Sequence, residues 1–63
     1  MSGEHQIYEV VAWDVNPDGG TKYFSVYWEH GRTNFKYVLP NIIARDELEA
    51  FTIATKKLEE GDY

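Results

Sequence analysis

The residues most capable of chemistry lie between two apolar runs, in Asp14-Val15-Asn16-Pro17-Asp18-Gly19. Oxygen ligands at alternate positions ahead of a glycine open a calcium loop of the EF-hand type, because Ca²⁺ is held by many oxygens and the glycine makes the bend. The match ends there: Ser25 stands where the bidentate glutamate belongs, Pro17 interrupts the loop, and the flanking segments read as strands. A hairpin turn is the expectation. His5 and His30 each follow a glutamate, but zinc needs three or four converging ligands and no second set stands at suitable spacing. His5 is expected in a solvated tail and His30 in an exposed turn. Ser2 and Ser25 lack the histidine and carboxylate partners that activate a hydroxyl, and no glycine-rich phosphate loop occurs. A chain this small also offers little concavity, so the expectation is a protein that is not an enzyme and uses no cofactor or metal.

Composition narrows the field further. A chain of 63 residues is a single domain, 1–63, with an ordered core expected over about residues 6–60. A domain of this size buries only about 60% of the surface its unfolded chain exposes, so its core is marginal. There is no cysteine, which removes disulfides and thiolate metal sites and favours a reducing compartment, cytoplasmic or, in a eukaryote, nuclear. The first residues, Met1 to His5, have neither the basic stretch nor the apolar core of a signal peptide, and no apolar run approaches membrane-spanning length. The formal charge is −5. Nucleic-acid binders show the opposite balance, so a protein partner is favoured over nucleic acid, with a second copy of the chain as another candidate and no membrane.

The elements that must position any site follow from the patterning. Residues 7–15 are rich in β-branched and aromatic side chains and predict a strand. Pro17, Asp18 and Gly19 predict the turn, residues 21–29 a second strand, His30-Gly31 a tight turn, and residues 32–39 a third strand ended by Pro40. From Asp46 the period becomes helical, with Leu48, Phe51, Thr55 and Leu58 on one stripe, acids at the start and Gly61 as a stop. Residues 1–5 and 61–63 are expected to fray. The fold class is therefore α+β, a three-stranded antiparallel sheet of two hairpins with one C-terminal helix on one face.

Register assigns the faces. Pairing Val15 with Thr21 sets Ala12 opposite Phe24, Val10 opposite Val26 and Tyr8 opposite Trp28. Pairing Glu29 with Arg32 adds Phe35, Tyr37 and Leu39 to that face, which the stripe from Leu48 to Leu58 then covers. The other face carries Ile7, Glu9, Val11, Trp13, Tyr23, Ser25, Tyr27, Asn34, Lys36 and Val38, with nothing in the chain to cover it. Aromatic residues with a polar rim mark a binding surface, since Trp and Tyr dominate interface hot spots. Val11, Trp13, Tyr23, Tyr27, Val38, Asn34 and Lys36 are thus the expected partner-binding residues. Cross-strand aromatic pairs also stabilise a sheet by up to about 1 kcal/mol without binding anything, so a structural role stands beside the functional one. Nucleic acid stacked on the same rings, with Lys22, Arg32 and Lys36 at phosphates, is a second reading. A third is an acidic nucleic-acid mimic using Glu47, Glu49, Glu59 and Glu60.

Two family resemblances bear on this. Tyr23-Phe-Ser-Val-Tyr-Trp28, Val38-Leu-Pro40 and Leu48-Glu-Ala-Phe51 resemble a chromodomain over roughly residues 9–58. Trp28 matches one aromatic position of that family's methyl-lysine cage, whereas Gln6 or Ile7 stands near the place of another. The resemblance therefore implies a chromo-like or chromo-shadow-like protein-binding module rather than a cage reader. Val26-Tyr-Trp-Glu-His-Gly-Arg32 with Asp46-Glu-Leu-Glu-Ala-Phe51 is similar to the arm-type DNA-binding domain of phage integrases, which lays its open sheet face in the major groove. Here the turn-to-helix spacing is longer and the basic residues of that face are mostly absent. Together these readings lead to the expectation of a small regulatory or inhibitory protein of phage or mobile-element type.

Overall fold

A computed structural model describes residues 4–16 and 19–63. Strands β1 (His5–Val15), β2 (Lys22–His30) and β3 (Lys36–Ala44) form one antiparallel sheet in the order β1-β2-β3, and helix α1 (Glu47–Glu60) packs on one face. The fold class is the one the patterning predicts. Among the described residues no helix is long and apolar enough to cross a membrane.

The central strand carries the core. Phe24, Val26 and Trp28 alternate along β2 and are all buried, and they meet Leu39, Ile42 and Ala44 of β3 and Ala50, Ala54 and Leu58 of α1. Ala12 lies opposite Phe24 and Val10 opposite Val26, as expected. Farther along, the register departs from expectation. Ile7 pairs with Trp28 and Glu9 with Tyr27, so Tyr8 is the extra residue of a β-bulge. The bulge exchanges the faces beyond it: Ile7, expected on the open side, packs against the core, and Tyr8, expected in the core, turns to the open side. At the other end Val15 pairs with Lys22 rather than Thr21, after an irregularity between Ala12 and Val15. The Asn16 N–H donates to the Thr21 carbonyl at 2.9 Å and the Gly19 N–H to the Asn16 carbonyl at 2.8 Å. Gly19 takes a φ of 87°, while Pro17 and Asp18 of the expected turn lie outside the described residues. Asp18 of the calcium-loop pattern falls there too.

The second hairpin is wider than a His30-Gly31 turn. The His30 N–H donates to the Phe35 carbonyl and the Asn34 N–H to the His30 carbonyl, with Asn34 rather than Gly31 taking the left-handed position at a φ of 60°. Val26 consequently faces Leu39 instead of Phe35. The slip is an even number of residues, so Tyr37 and Leu39 keep the side expected of them, but Phe35 leaves the core and is 63% exposed in the loop. Nor does β3 stop at Pro40. Val26 pairs with Leu39 and Phe24 with Ile42, so Pro40 and Asn41 form a second bulge on an edge strand, where a missing N–H is tolerated. Asn41 adopts a φ of 60°, and the strand resumes with Ile42 and Ala44 facing inward.

The helix begins and ends as its caps predict. The Asp46 Oδ1 accepts the Glu49 N–H at 2.8 Å, and Gly61, at a φ of 75°, closes the C-terminus with its N–H on the Leu58 carbonyl. Its buried stripe differs from the one expected: Ala50, Ala54 and Leu58 face the sheet, Thr55 is half-buried, and Leu48 and Phe51 stay outside. Two alanines let the helix backbone sit close to the aromatic side chains of β2, which already fill the space between the layers. Residues 4, 5 and 63, expected to fray, are engaged: Glu4 accepts the Gly31 N–H through its carbonyl, and the rings of His5 and Tyr63 both pack on Trp28.

Enlarging the close contact should therefore cost more than trimming the stripe expected from periodicity. Ala54→Leu is expected to lose about 1–3 kcal/mol of unfolding free energy, the usual overpacking cost. Leu48→Ala should change stability by no more than about 0.5 kcal/mol. Urea denaturation in dilute solution measures both, and the reverse order would show that Leu48 belongs to the core. In the same assay Asp46→Ala should cost about 1 kcal/mol through the lost cap.

Candidate functional site

The face of the sheet away from α1 is built from the alternate residues of the three strands. On β2 these are Tyr23, Ser25, Tyr27 and Glu29, and their cross-strand partners are Ile43, Val38 and Lys36 of β3 and Gln6, Glu9 and Val11 of β1. Trp13 joins them at the turn end of β1. Its indole N–H donates to the Ser25 hydroxyl at 2.6 Å, which lays the ring across the strand and buries Ser25 although no helix covers it. Trp13 is 65% exposed and Trp28 2%, so the two tryptophans lie on opposite sides of the sheet, as register arguments predict.

Toward the other end, the β1 bulge brings Tyr8 to Tyr27, with ring centroids 6.4 Å apart. The Lys36 ammonium lies 5.1 Å from the centroid of the Tyr8 ring and 2.9 Å from the Glu29 carboxylate. The hydrogen bond to Glu29, reinforced by that carboxylate's charge, holds the Lys36 ammonium above its usual pKa. With Tyr37 and Val38, these residues line a concavity of about 300 Å³. The surface is therefore largely apolar across β2 and β3, with the exposed Glu9 on β1 and the Lys36–Glu29 ion pair at its rim.

Of the residues expected to bind a partner, Val11, Trp13, Tyr23, Tyr27, Val38 and Lys36 are brought together on this face. Asn34 is not; it sits in the β2–β3 loop, spent on the left-handed turn position. Ile7, expected on the open face though not among the binding residues, is turned to the core by the bulge. Tyr8 and Ile43 were not foreseen here. A signal for each existed in the sequence. Ile7 and Val10 are both apolar at a spacing of three, which an unbroken strand cannot place on one face, and Pro40-Asn41 is a bulge-compatible pair inside an apolar run.

The groups first singled out for chemistry are scattered. The two imidazoles sit near each other beyond the sheet's covered end, 5.7 Å between centroids, where the His30 Nδ1 accepts the Arg32 N–H and its Nε2 lies 3.7 Å from Glu4. His5 belongs to β1 and packs on Trp28 rather than standing in solvent. Among the described residues, no three His, Cys, Asp or Glu side chains are grouped so as to hold a metal ion. No protein-family model matches this chain, and neither a curated protein nor a solved structure matches it.

Proposed function

We propose that this chain is a non-catalytic binding module that docks a protein partner on the open face of its sheet, acting as a regulator or inhibitor by occupying that partner. The observation that carries the reading is the continuity of Tyr8, Val11, Trp13, Tyr23, Tyr27, Val38 and Ile43 across all three strands on the uncovered side. An open antiparallel face ordinarily alternates to polar residues, and this one concentrates the residue types that dominate interface hot spots. The Trp13 ring is already held by Ser25, so docking against it costs little further side-chain freedom.

The charges favour a protein over nucleic acid. Lys36 is paired with Glu29 at 2.9 Å and Arg32 with Glu4 at 3.4 Å, so two of the cations a phosphate backbone would need are engaged within the chain. The net charge of −5 adds repulsion.

The test compares wild type with Trp13→Ala/Tyr27→Ala as immobilised bait in a nuclease-treated native lysate. Truncating a hot-spot aromatic costs about 2 kcal/mol or more, so the double variant should retain at least tenfold less of the captured protein while its far-UV circular dichroism stays that of the wild type. Equal capture by both baits would defeat the reading. So would a ligand that disappears with nuclease treatment, or one whose binding collapses steeply with added salt.

A further inference from the structure

Helix α1 carries a second apolar surface that its own sheet leaves uncovered. Leu48 is 75% exposed and Phe51 45%. Thr52 and Thr55 lie on the same flank, and their hydroxyls return to the Leu48 and Phe51 carbonyls at 3.0 and 2.9 Å, so those hydroxyls are satisfied within the helix. On a helical period, residues 48, 52, 55 and 59 make one stripe with Phe51 at its margin, about 120° around the helix from the line of Ala50, Ala54 and Leu58.

We infer that this stripe is a self-association seam, through which two copies of the chain pair by laying their α1 helices antiparallel. Charge selects the occupant and its direction. Glu49 and Lys56 stand on the same flank of the stripe, one toward each end of the helix. In an antiparallel pair related by a two-fold axis, like flanks face each other, so Lys56 of one copy meets Glu49 of the other, twice by symmetry. A parallel pair gives these charges no partner. Lys56 has no ion-pair partner among the described residues, and the contacts of Glu49 with Arg45 both fall on Oε1.

Shape agrees with charge. Phe51, Thr52, Thr55, Lys56, Glu59 and Glu60 line an open concavity of about 490 Å³ along the helix. The two-fold that sets residue 49 against residue 56 brings the second copy's Leu48 to the level of this concavity, a knob entering a hole. A seam of one short helix is smaller than the roughly 800 Å² per partner of a standard stable interface, so the association is reversible and depends on concentration. The seam leaves the open sheet face free and stands whether or not that face binds a protein.

Sedimentation velocity from micromolar to millimolar chain should show a monomer passing to a dimer. Leu48→Glu, at an exposed first-turn position where an acid suits the helix dipole, should remain monomeric with unchanged helicity, and Lys56→Glu should weaken the dimer severalfold. Trp13→Ala should leave it intact. Because the chain has no cysteine, orientation can be read by oxidation: Thr52→Cys, next to the two-fold, should link two copies, and Glu59→Cys should not. A monomer at every concentration overturns the proposal. A dimer that survives Leu48→Glu but dissolves in Trp13→Ala, or linkage at both cysteine positions, does the same.

Discussion

One helix can cover only one face of a three-stranded sheet, and the seating of Ala50 and Ala54 over β2 decides which face that is. Both alanines are fully buried with Phe24, Val26 and Trp28 in a single cluster. Much of the volume between the layers is supplied by the sheet, so the helix contributes Ala50 and Ala54 beside Leu58 and Ile53, while Leu48 and Phe51 lie on its flank. Everything else about the surface of the molecule follows from that division of labour. Among the described residues nothing covers the far side of the sheet, and Leu48 and Phe51 lie outside the core.

The covered end of the sheet is finished by rings rather than by aliphatic packing. Trp28 stacks on Tyr37 with centroids 4.6 Å apart and meets His5 and Tyr63 edge-on, each at 5.1 Å. The Tyr63 hydroxyl and the His5 Nε2 are 3.2 Å apart, which ties the last residue of the chain to the first strand. Trp28 Nε1 and His5 Nδ1 are buried without a hydrogen-bond partner among the described residues. Each such group costs about 1–3 kcal/mol, and ring pairs at about 0.5–1.5 kcal/mol apiece offset a comparable amount.

How far the sequence discloses this structure depends on the scale of the feature. Element type was legible throughout, because β-branched and aromatic runs, a period change at Asp46 and the Asp46 and Gly61 caps are all local signals. The central pairs, Ala12 with Phe24 and Val10 with Val26, were legible because one face must be apolar. Tyr8, Phe35 and Pro40 were misplaced for one shared reason: each lies where a bulge or a wider loop adds residues, and an inserted residue changes the register downstream without changing the local composition. The slip in the second hairpin did little harm to the faces because it was even. The single-residue bulge in β1 exchanged Ile7 and Tyr8. On the helix, Leu58 of the expected stripe is buried and Thr55 half-buried, whereas Leu48 and Phe51 lie outside and Ala50 and Ala54 take the close contact. Most of the candidate surface keeps its side, since Val11, Tyr23 and Tyr27 sit between the irregularities and Trp13, although inside the one between Ala12 and Val15, still reaches Ser25.

The two uncovered surfaces are consequences of the same economy, and their relative placement matters. The sheet separates its open face from α1, and the helix flank lies beyond the layer contact. In the proposed α1 pair the two copies would carry their open faces on the outside, where neither obstructs the other. In that proposed pair, two equal faces would turn a second docking event into an intramolecular one, so a partner that is itself repeated or dimeric would be held more tightly than by either face alone. By that route the proposed binding would gain affinity without a larger patch, which would expose more apolar surface to unintended contacts.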